Sequence, residues 1–319
     1  MSGVIILIIL AIFLAMNMGI SGFSVSFAPS YGSNILSKNR AAILYAICVI
    51  LGAYFLGARV VNTLSKKIFS CDISLYSSIV IFSSCAITMF LSNILKVPQS
   101  TSFVTVASFV GAGIFYGKVN WYTVIKILLF ALIFSILSFT ITILLKRKIY
   151  PPHQRNLRFY EKFFAHRDKF KKFIIFHDLY AAFSIGTNNV ANVVAPLIFL
   201  IGESNIFLFL FFGVFFALGA YLKGEKLIKS VSKEIIPVGE FSASIVSFTT
   251  ATFVIIASFF GLPTPYVQFT TFSLLGISCV KDGFRYTFSK TIVKRILCVW
   301  ILVPLFTTFL SYILHRIIL

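Results

Sequence analysis

Charge is what this chain is short of. Of its 319 residues only 12% are Asp, Glu, Lys or Arg, and just nine of them are acidic. Soluble domains carry roughly 25% charged residues, because polar groups must cover an apolar core. Here 59% of the residues are apolar, Phe alone contributing 38. That balance excludes a soluble enzyme, a disordered chain and a nucleic-acid-binding domain, and leaves a polytopic membrane protein. No paired carboxylates, H-E-x-x-H, G-x-S-x-G or Walker-type loop occur, so membrane enzymology has no support either. The five cysteines (Cys48, Cys71, Cys85, Cys279 and Cys298) include no C-x-x-C pair and mostly sit in apolar runs. They read as small buried hydrophobes, not as metal ligands or a disulfide framework.

What charge there is has a pattern. The net +19 is concentrated between Lys146 and Lys172, where ten Lys and Arg meet only Glu161 and Asp168. A basic stretch between long apolar runs is expected on the cytoplasmic side, beside anionic lipid headgroups. At the N-terminus no Lys or Arg precedes the first apolar run, so that run is expected to be a membrane helix and not a cleaved leader.

A bilayer core of about 30 Å asks for roughly 20 apolar residues per helix. Runs of that kind occupy 3–18, 41–57, 75–95, 121–145, 203–222, 241–260 and 296–315, with a shorter one at 173–185. Between them, 19–36, 98–117, 186–201 and 263–280 are moderately apolar but rich in Gly, Ser, Thr, Asn and Pro. Irregular backbone inside a membrane is tolerated only around protein or a watery cavity, so these read as broken or re-entrant helices around a polar centre.

The chain also repeats itself. Shifted by 167 positions, Leu51–Ile68 lies on Leu218–Ile235 with eight identities in eighteen, and Gly19 falls on Gly186. A shift of 165 places Pro98 on Pro263 and Gly111 on Gly276. The expected organisation is therefore a transmembrane repeat over 1–145, a basic cytoplasmic linker over 146–172 and a second repeat over 173–319. The fold class is all-α, with two homologous, inverted halves. Paired interrupted helices in matching positions mark a secondary transporter whose site lies between the repeats.

Each broken segment offers small polar side chains at an expected helix start. In the first pair these are Ser21 and Gly22, facing Asn188 and Asn189; in the second, Ser100, Thr101 and Ser102, facing Thr264 and Gln268. Helix N-termini leave backbone N–H groups unpaired and attract anions. Hydroxyl and amide donors around four such starts would form an uncharged cage for a tetrahedral oxyanion. Of the ionisable residues near spans, His177 and Asp178 lie in the apolar run leading into Gly186, Glu240 opens the 241–260 run and Asp282 follows the last broken segment. Such residues are candidates for taking up a coupling proton.

At Gly186-Thr187-Asn188-Asn189-Val190-Ala191-Asn192 the chain resembles the duplicated G-x-N-D-x-A-N signature of the inorganic phosphate transporter family. Pro98-Gln99-Ser100-Thr101-Ser102 is similar to that family's P-x-S-T-[ST] element, and Leu51-Gly52-Ala53 with Gly57-Ala58-Arg59-Val60 to its conserved helix end. Within the family the likeness is strongest to the bacterial sulfate permease branch, through 13–22, Asn188–Asn192 and Gly261–Gln268. The resemblance implies a cation-coupled transporter carrying an oxyanion inward, with Asn192, Asp178 and Glu240 as coupling-ion candidates. Where phosphate carriers have Asp in both signatures, this chain has Gly22 and Asn189. Losing two carboxylates beside the anion favours sulfate, an acceptor-only dianion, and favours coupling to protons over sodium.

The expected function is thus a sulfate permease of the plasma membrane, with no cofactor beyond the coupling H+ or Na+ and no nucleic-acid partner. Phosphate transport is the nearest alternative and a passive anion channel the alternative of another class. Thiosulfate is a further candidate substrate, and a homodimer the expected assembly.

Overall fold

The computed structural model describes residues 2–69, 73–94, 99–149, 154, 156–198, 206–234 and 238–319. Pro98, Cys71, Ile235 and the 199–201 end of one broken segment, all singled out above, lie outside them. The described residues are helical apart from turns and one isolated bridge, Phe69 with Val119.

The first half contains α1 (Ser2–Ser26), α2 (Ala28–Gly32), α3 (Lys38–Lys67), α4 (Leu75–Ile94), α5 (Thr101–Phe115) and α6 (Trp121–Ile149). A short helix, α7 (Leu157–Ala165), lies in the basic linker. The second half contains α8 (Arg167–Val194), a 3-10 turn at Ala195–Leu197, α9 (Ile206–Glu234), α10 (Glu240–Phe259), α11 (Tyr266–Asp282), α12 (Phe284–Ser289) and α13 (Thr291–Ile318). Among the described residues seven helices, α1, α3, α4, α6, α9, α10 and α13, are long and apolar enough to cross a membrane. They match the seven long runs in the sequence. The eighth run forms part of α8, whose first turns carry Arg167, Lys169, Lys171 and Lys172.

The halves are inverted, and local hydrogen bonds show why. Helices α4 and α5 form a hairpin: Ser108 Oγ donates to the Ile81 carbonyl at 3.1 Å and meets Ser84 Oγ at 2.5 Å. That hairpin leaves and returns to one place, because the Asn120 N–H donates to the Ile68 carbonyl at 2.8 Å. Only α1, α3 and α6 are then one-way passes. Three passes deliver the chain to the opposite side, so the second half begins where the first did not.

Glycine contacts display the twofold relation between the halves. A side chain at Gly19 of α1 would collide with the Phe216 backbone of α9, and one at Gly219 of α9 with the Met16 carbonyl of α1. The same pair recurs with the halves exchanged: Gly186 of α8 lies on Val49 of α3, and Gly52 of α3 on Phe183 of α8. Each of these four residue pairs maps onto its counterpart by the 167-residue shift. Small residues let membrane helices approach backbone to backbone, where dispersion replaces the missing hydrophobic drive. Each half thus packs mainly across the interface, α1 on α9 and α8 on α3, with α6 on α11 and α5 on α13 outside them.

Apolar side chains face outward and small polar ones inward. On α6, Ile125, Leu128, Leu132 and Ile136 are exposed, while Ser135, Ser138 and Thr142 are buried. On α13, Ile301, Leu305 and Phe309 face out, while Thr307 and Ser311 are buried. Such an exposed apolar girdle is stable only against lipid.

Candidate functional site

The two kinds of broken segment behave differently. Ser100 caps α5 in extended conformation, its Oγ accepting from the Phe103 N–H at 3.4 Å, and α11 starts at Tyr266 directly after Pro265. Both expected starts of the second pair are therefore present. The first pair requires a correction. Gly19–Ser24 lies inside α1 and Gly186–Asn192 inside α8, so neither begins a helix. The breaks come later, at Phe27–Ala28 and Val194–Ala195, where Pro29 and Pro196 sit at the second position of a new short helix. Proline lacks the N–H that an uninterrupted helix would need there. Ser21, Asn188 and Asn189 thus present side chains from a helix flank, Gly22 presents none, and all four lie inside helices.

These flanks and starts line one small pocket between the halves. Its wall comprises Ser21, Gly22 and Val25 of α1, Ser100 and Thr101 at the head of α5, Ile185 and Asn189 of α8, and Tyr266 and Val267 at the head of α11. No wall residue is charged. The heads of α5 and α11 supply the partial positive charge of helix dipoles, the source of electrostatic attraction left when no Lys or Arg lines the wall. Gly261, at a φ of 70°, makes the turn that brings α11 to this point; Arg59 of the first half holds the turn by donating to the Phe259 carbonyl at 2.7 Å.

The other expected residues stand behind the wall. Asn188 Nδ2 donates to Ser102 Oγ and to the Thr264 carbonyl, both at 2.8 Å, and its Oδ1 accepts from the Thr264 N–H at 3.2 Å. One amide thus ties the head of α5 to the head of α11. Asn192 Nδ2 also donates to Ser102 Oγ, at 2.9 Å. Asn188, Asn192 and Ser102 therefore spend donors and acceptors on one another and brace the wall. Thr264 and Gln268 are buried beside it, outside the lining, the Thr264 hydroxyl without a hydrogen-bond partner. Ser21 Oγ donates to the Met18 carbonyl at 3.0 Å, so toward the cavity it offers lone pairs and no proton.

The coupling candidates separate by distance. Thr187, beside the wall, donates to Ser258 at the C-terminal end of α10. Glu240 is the first residue of that helix, eighteen residues away, about 27 Å at 1.5 Å per residue. It occupies an ordinary first-turn position for a carboxylate and does not reach the cavity. Asp178 lies eleven residues before Asn189 on α8, about 16 Å along the axis. It is fully buried; Oδ2 accepts from the Ser30 N–H at 3.0 Å, and Oδ1 has no hydrogen-bond partner among the described residues. Asp282 is ion-paired with Lys290 at 3.0 Å, which holds its carboxyl below the usual range.

Three polar residues at or near the site were not singled out from sequence. Tyr266 is on the wall, Tyr45 lies fully buried against Gly22, and Gln99 is buried with neither amide atom bonded to any described residue. Tyr45 sits in an apolar run, where aromatic rings count as core, and Tyr266 in the broken segment 263–280, where the neighbouring Thr264 and Gln268 carried the polar signal. Gln99 had a visible signal, an amide beside Ser100 where the second half carries Thr264.

Inverted halves meeting at an uncharged polar cavity define a multi-pass membrane transporter, and the cavity's donors suit an anion. Residues 18–150 and 150–311 each match the phosphate transporter family, and the chain belongs to that family. It is 34% identical over 317 residues to the sulfate permease CysP of Bacillus subtilis, covering 96% of this chain and 86% of that one. It is 24% identical to a putative phosphate permease of Methanocaldococcus jannaschii, covering 98% and 96% of the two chains. The fold is that of a solved sodium-dependent phosphate transporter, with a TM-score of 0.83, 20% identity and 99% of both chains covered.

Proposed function

We propose that this anion transporter is a sulfate permease, working by rocking of its two halves about the central cavity and driven by the proton gradient. The observation that carries the reading is the wall itself: hydroxyls, an amide and two helix heads, with no carboxylate. Hydrogenphosphate can donate its O–H to a carboxylate, whereas sulfate is acceptor-only, so a wall without carboxylates favours sulfate. The likeness to a sulfate permease over nearly the whole chain supports the same substrate. Thiosulfate, of similar shape and charge, is expected to compete, and the protein is expected in the plasma membrane as a homodimer.

For coupling, Asp178 is the proposed proton carrier. It is fully buried with one oxygen unpartnered, while Asn192 cannot ionise and Glu240 lies far from the cavity. Radiolabelled sulfate uptake into proteoliposomes tests both points. Sulfate should accumulate uphill under an imposed proton gradient and not under a sodium gradient, with thiosulfate inhibiting more strongly than phosphate. Uphill phosphate accumulation that sulfate does not inhibit would sink the substrate assignment. Sulfate flux without accumulation under any gradient would make the protein a channel.

A further inference from the structure

We infer that two buried tyrosine hydroxyls, those of Tyr45 and Tyr266, donate hydrogen bonds to the transported oxyanion and set its affinity. The inference rests on the oxyanion reading above and adds ligands from outside the polar motifs.

Tyr45 on α3 is completely buried, its ring held edge-on to Phe23 at 5.5 Å and to Phe27 at 6.2 Å. These contacts fix the ring and leave the hydroxyl no freedom to seek water. Its oxygen has no hydrogen-bond partner among the described residues. It lies against the α-carbon of Gly22, close enough that a methyl group there would overlap it. Gly22 is a wall residue, so the absence of a side chain opens the wall toward the phenol. Tyr266, the first residue of α11, forms part of the wall, is only 3% exposed, and also carries a hydroxyl without a partner among the described residues.

Buried hydroxyls are normally hydrogen-bonded, and an orphan calls for an explanation. One orphan on the wall and a second directly behind wall residue Gly22 are explained together by an acceptor that enters the cavity. The duplication adds an independent argument. The position equivalent to Tyr45 in the second half is Phe212, which is also buried. Packing at this place in the fold therefore needs a ring and not a hydroxyl. The two halves also exchange roles: one pairs Gly22 with Tyr45, the other Asn189 with Phe212. In the first half the polar group comes from the neighbouring helix; in the second it comes from the motif. Tyr266 likewise replaces the smaller Thr101 of the first half. A phenol is a short-range donor without charge, suited to an anion that brings only acceptors.

The test is transport kinetics of Tyr45→Phe and Tyr266→Phe in proteoliposomes, with thermal unfolding of the purified proteins. Each variant should raise the KM for sulfate about tenfold, the weight of one hydrogen bond to a charged group, with little change in the maximal rate. The unfolding temperature without sulfate should not fall, because the ring is kept, while the stabilisation conferred by added sulfate should shrink. Gly22→Ala should raise KM as Tyr45→Phe does, by displacing the hydroxyl, and should add little in the Tyr45→Phe background. If the wild type transports sulfate and both Tyr→Phe variants keep its KM within twofold, the tyrosine assignment is wrong and the sulfate reading survives. If the wild type accumulates phosphate instead, the substrate reading fails and the same variants are scored on the KM for phosphate. A wild type that moves neither anion removes both.

Discussion

The carboxylate of Asp178, on α8 of the second half, accepts a hydrogen bond from the backbone N–H of Ser30 on α2 of the first, at 3.0 Å. Ser78 Oγ of the first half reciprocates by donating to the Pro196 carbonyl at the second half's break, at 2.6 Å. Each interruption is thus held by a side chain of the opposite half, where its freed backbone groups would otherwise be orphaned in an apolar layer. Asp178→Ala should therefore lower stability by about 1–3 kcal/mol, the cost of a buried unsatisfied donor. Asp178→Asn keeps an acceptor and should restore most of that stability while abolishing proton-driven accumulation. Thermal unfolding in detergent beside uptake separates the two roles, and an Asn variant with normal accumulation would exclude Asp178 as the proton carrier.

Ser100 and Asn189 stand on the wall, Asn188 behind it. Ser100→Ala and Asn189→Ala should each weaken sulfate binding by about 1–3 kcal/mol, roughly 5- to 150-fold in KM, with modest effects on folding. Asn188→Ala should instead reduce folded yield, because it disconnects the heads of α5 and α11. Uptake kinetics alongside size-exclusion profiles distinguish these outcomes.

Asn189→Asp is the sharpest test of the uncharged wall. A carboxylate there would repel a dianion in a medium of low dielectric, so sulfate uptake should fall well below that of Asn189→Ala at neutral pH. Acidification should recover part of it as the carboxyl becomes protonated. Improved sulfate uptake in the Asp variant would contradict the charge argument.

Gly19→Ala and Gly186→Ala should be equivalent lesions, each driving a methyl group into the backbone of a helix from the other half. Overpacking of this kind typically costs 1–3 kcal/mol. Gly239, whose Cβ position meets nothing within 4 Å among the described residues, provides the control: Gly239→Ala changes a helix N-cap without a collision and should cost less than either lesion in the same unfolding assay.

Asp282 is satisfied by Lys290 and Ser278 at the end of α11. Asp282→Asn should leave sulfate uptake within about twofold of wild type, since an ion pair of this kind contributes at most about 1 kcal/mol. Its depressed carboxyl pKa adds stability above the unfolded pKa, lost as pH falls through the folded one. A strong transport defect at neutral pH would return Asp282 to the list of coupling groups.

Much of the architecture was legible because two sequence signals are robust in a membrane. Apolar runs must match the bilayer thickness, and all seven long runs became helices. The duplication was visible through residues such as Gly52 and Gly219, kept because helices meet backbone to backbone there. The helix heads at Ser100 and Tyr266 were legible from proline and hydroxyl neighbours. The motifs at Gly19 and Gly186 misled, because small polar residues suit a crowded helix flank as well as a helix start.

Composition and internal repetition alone determined a two-part helical membrane protein with polar interruptions, since lipid dictates how apolar a span must be and where backbone can break. Which polar residues meet in space was decided by tertiary packing. Asn188 and Asn189 are neighbours in the chain, yet a helix turns by about 100° per residue, so one braces the wall while the other forms it. No linear pattern could have paired Tyr45 with Gly22. That contact exists because α3 packs backbone to backbone on α8, at Gly52 and Gly186, and the long Tyr45 side chain reaches from there to α1.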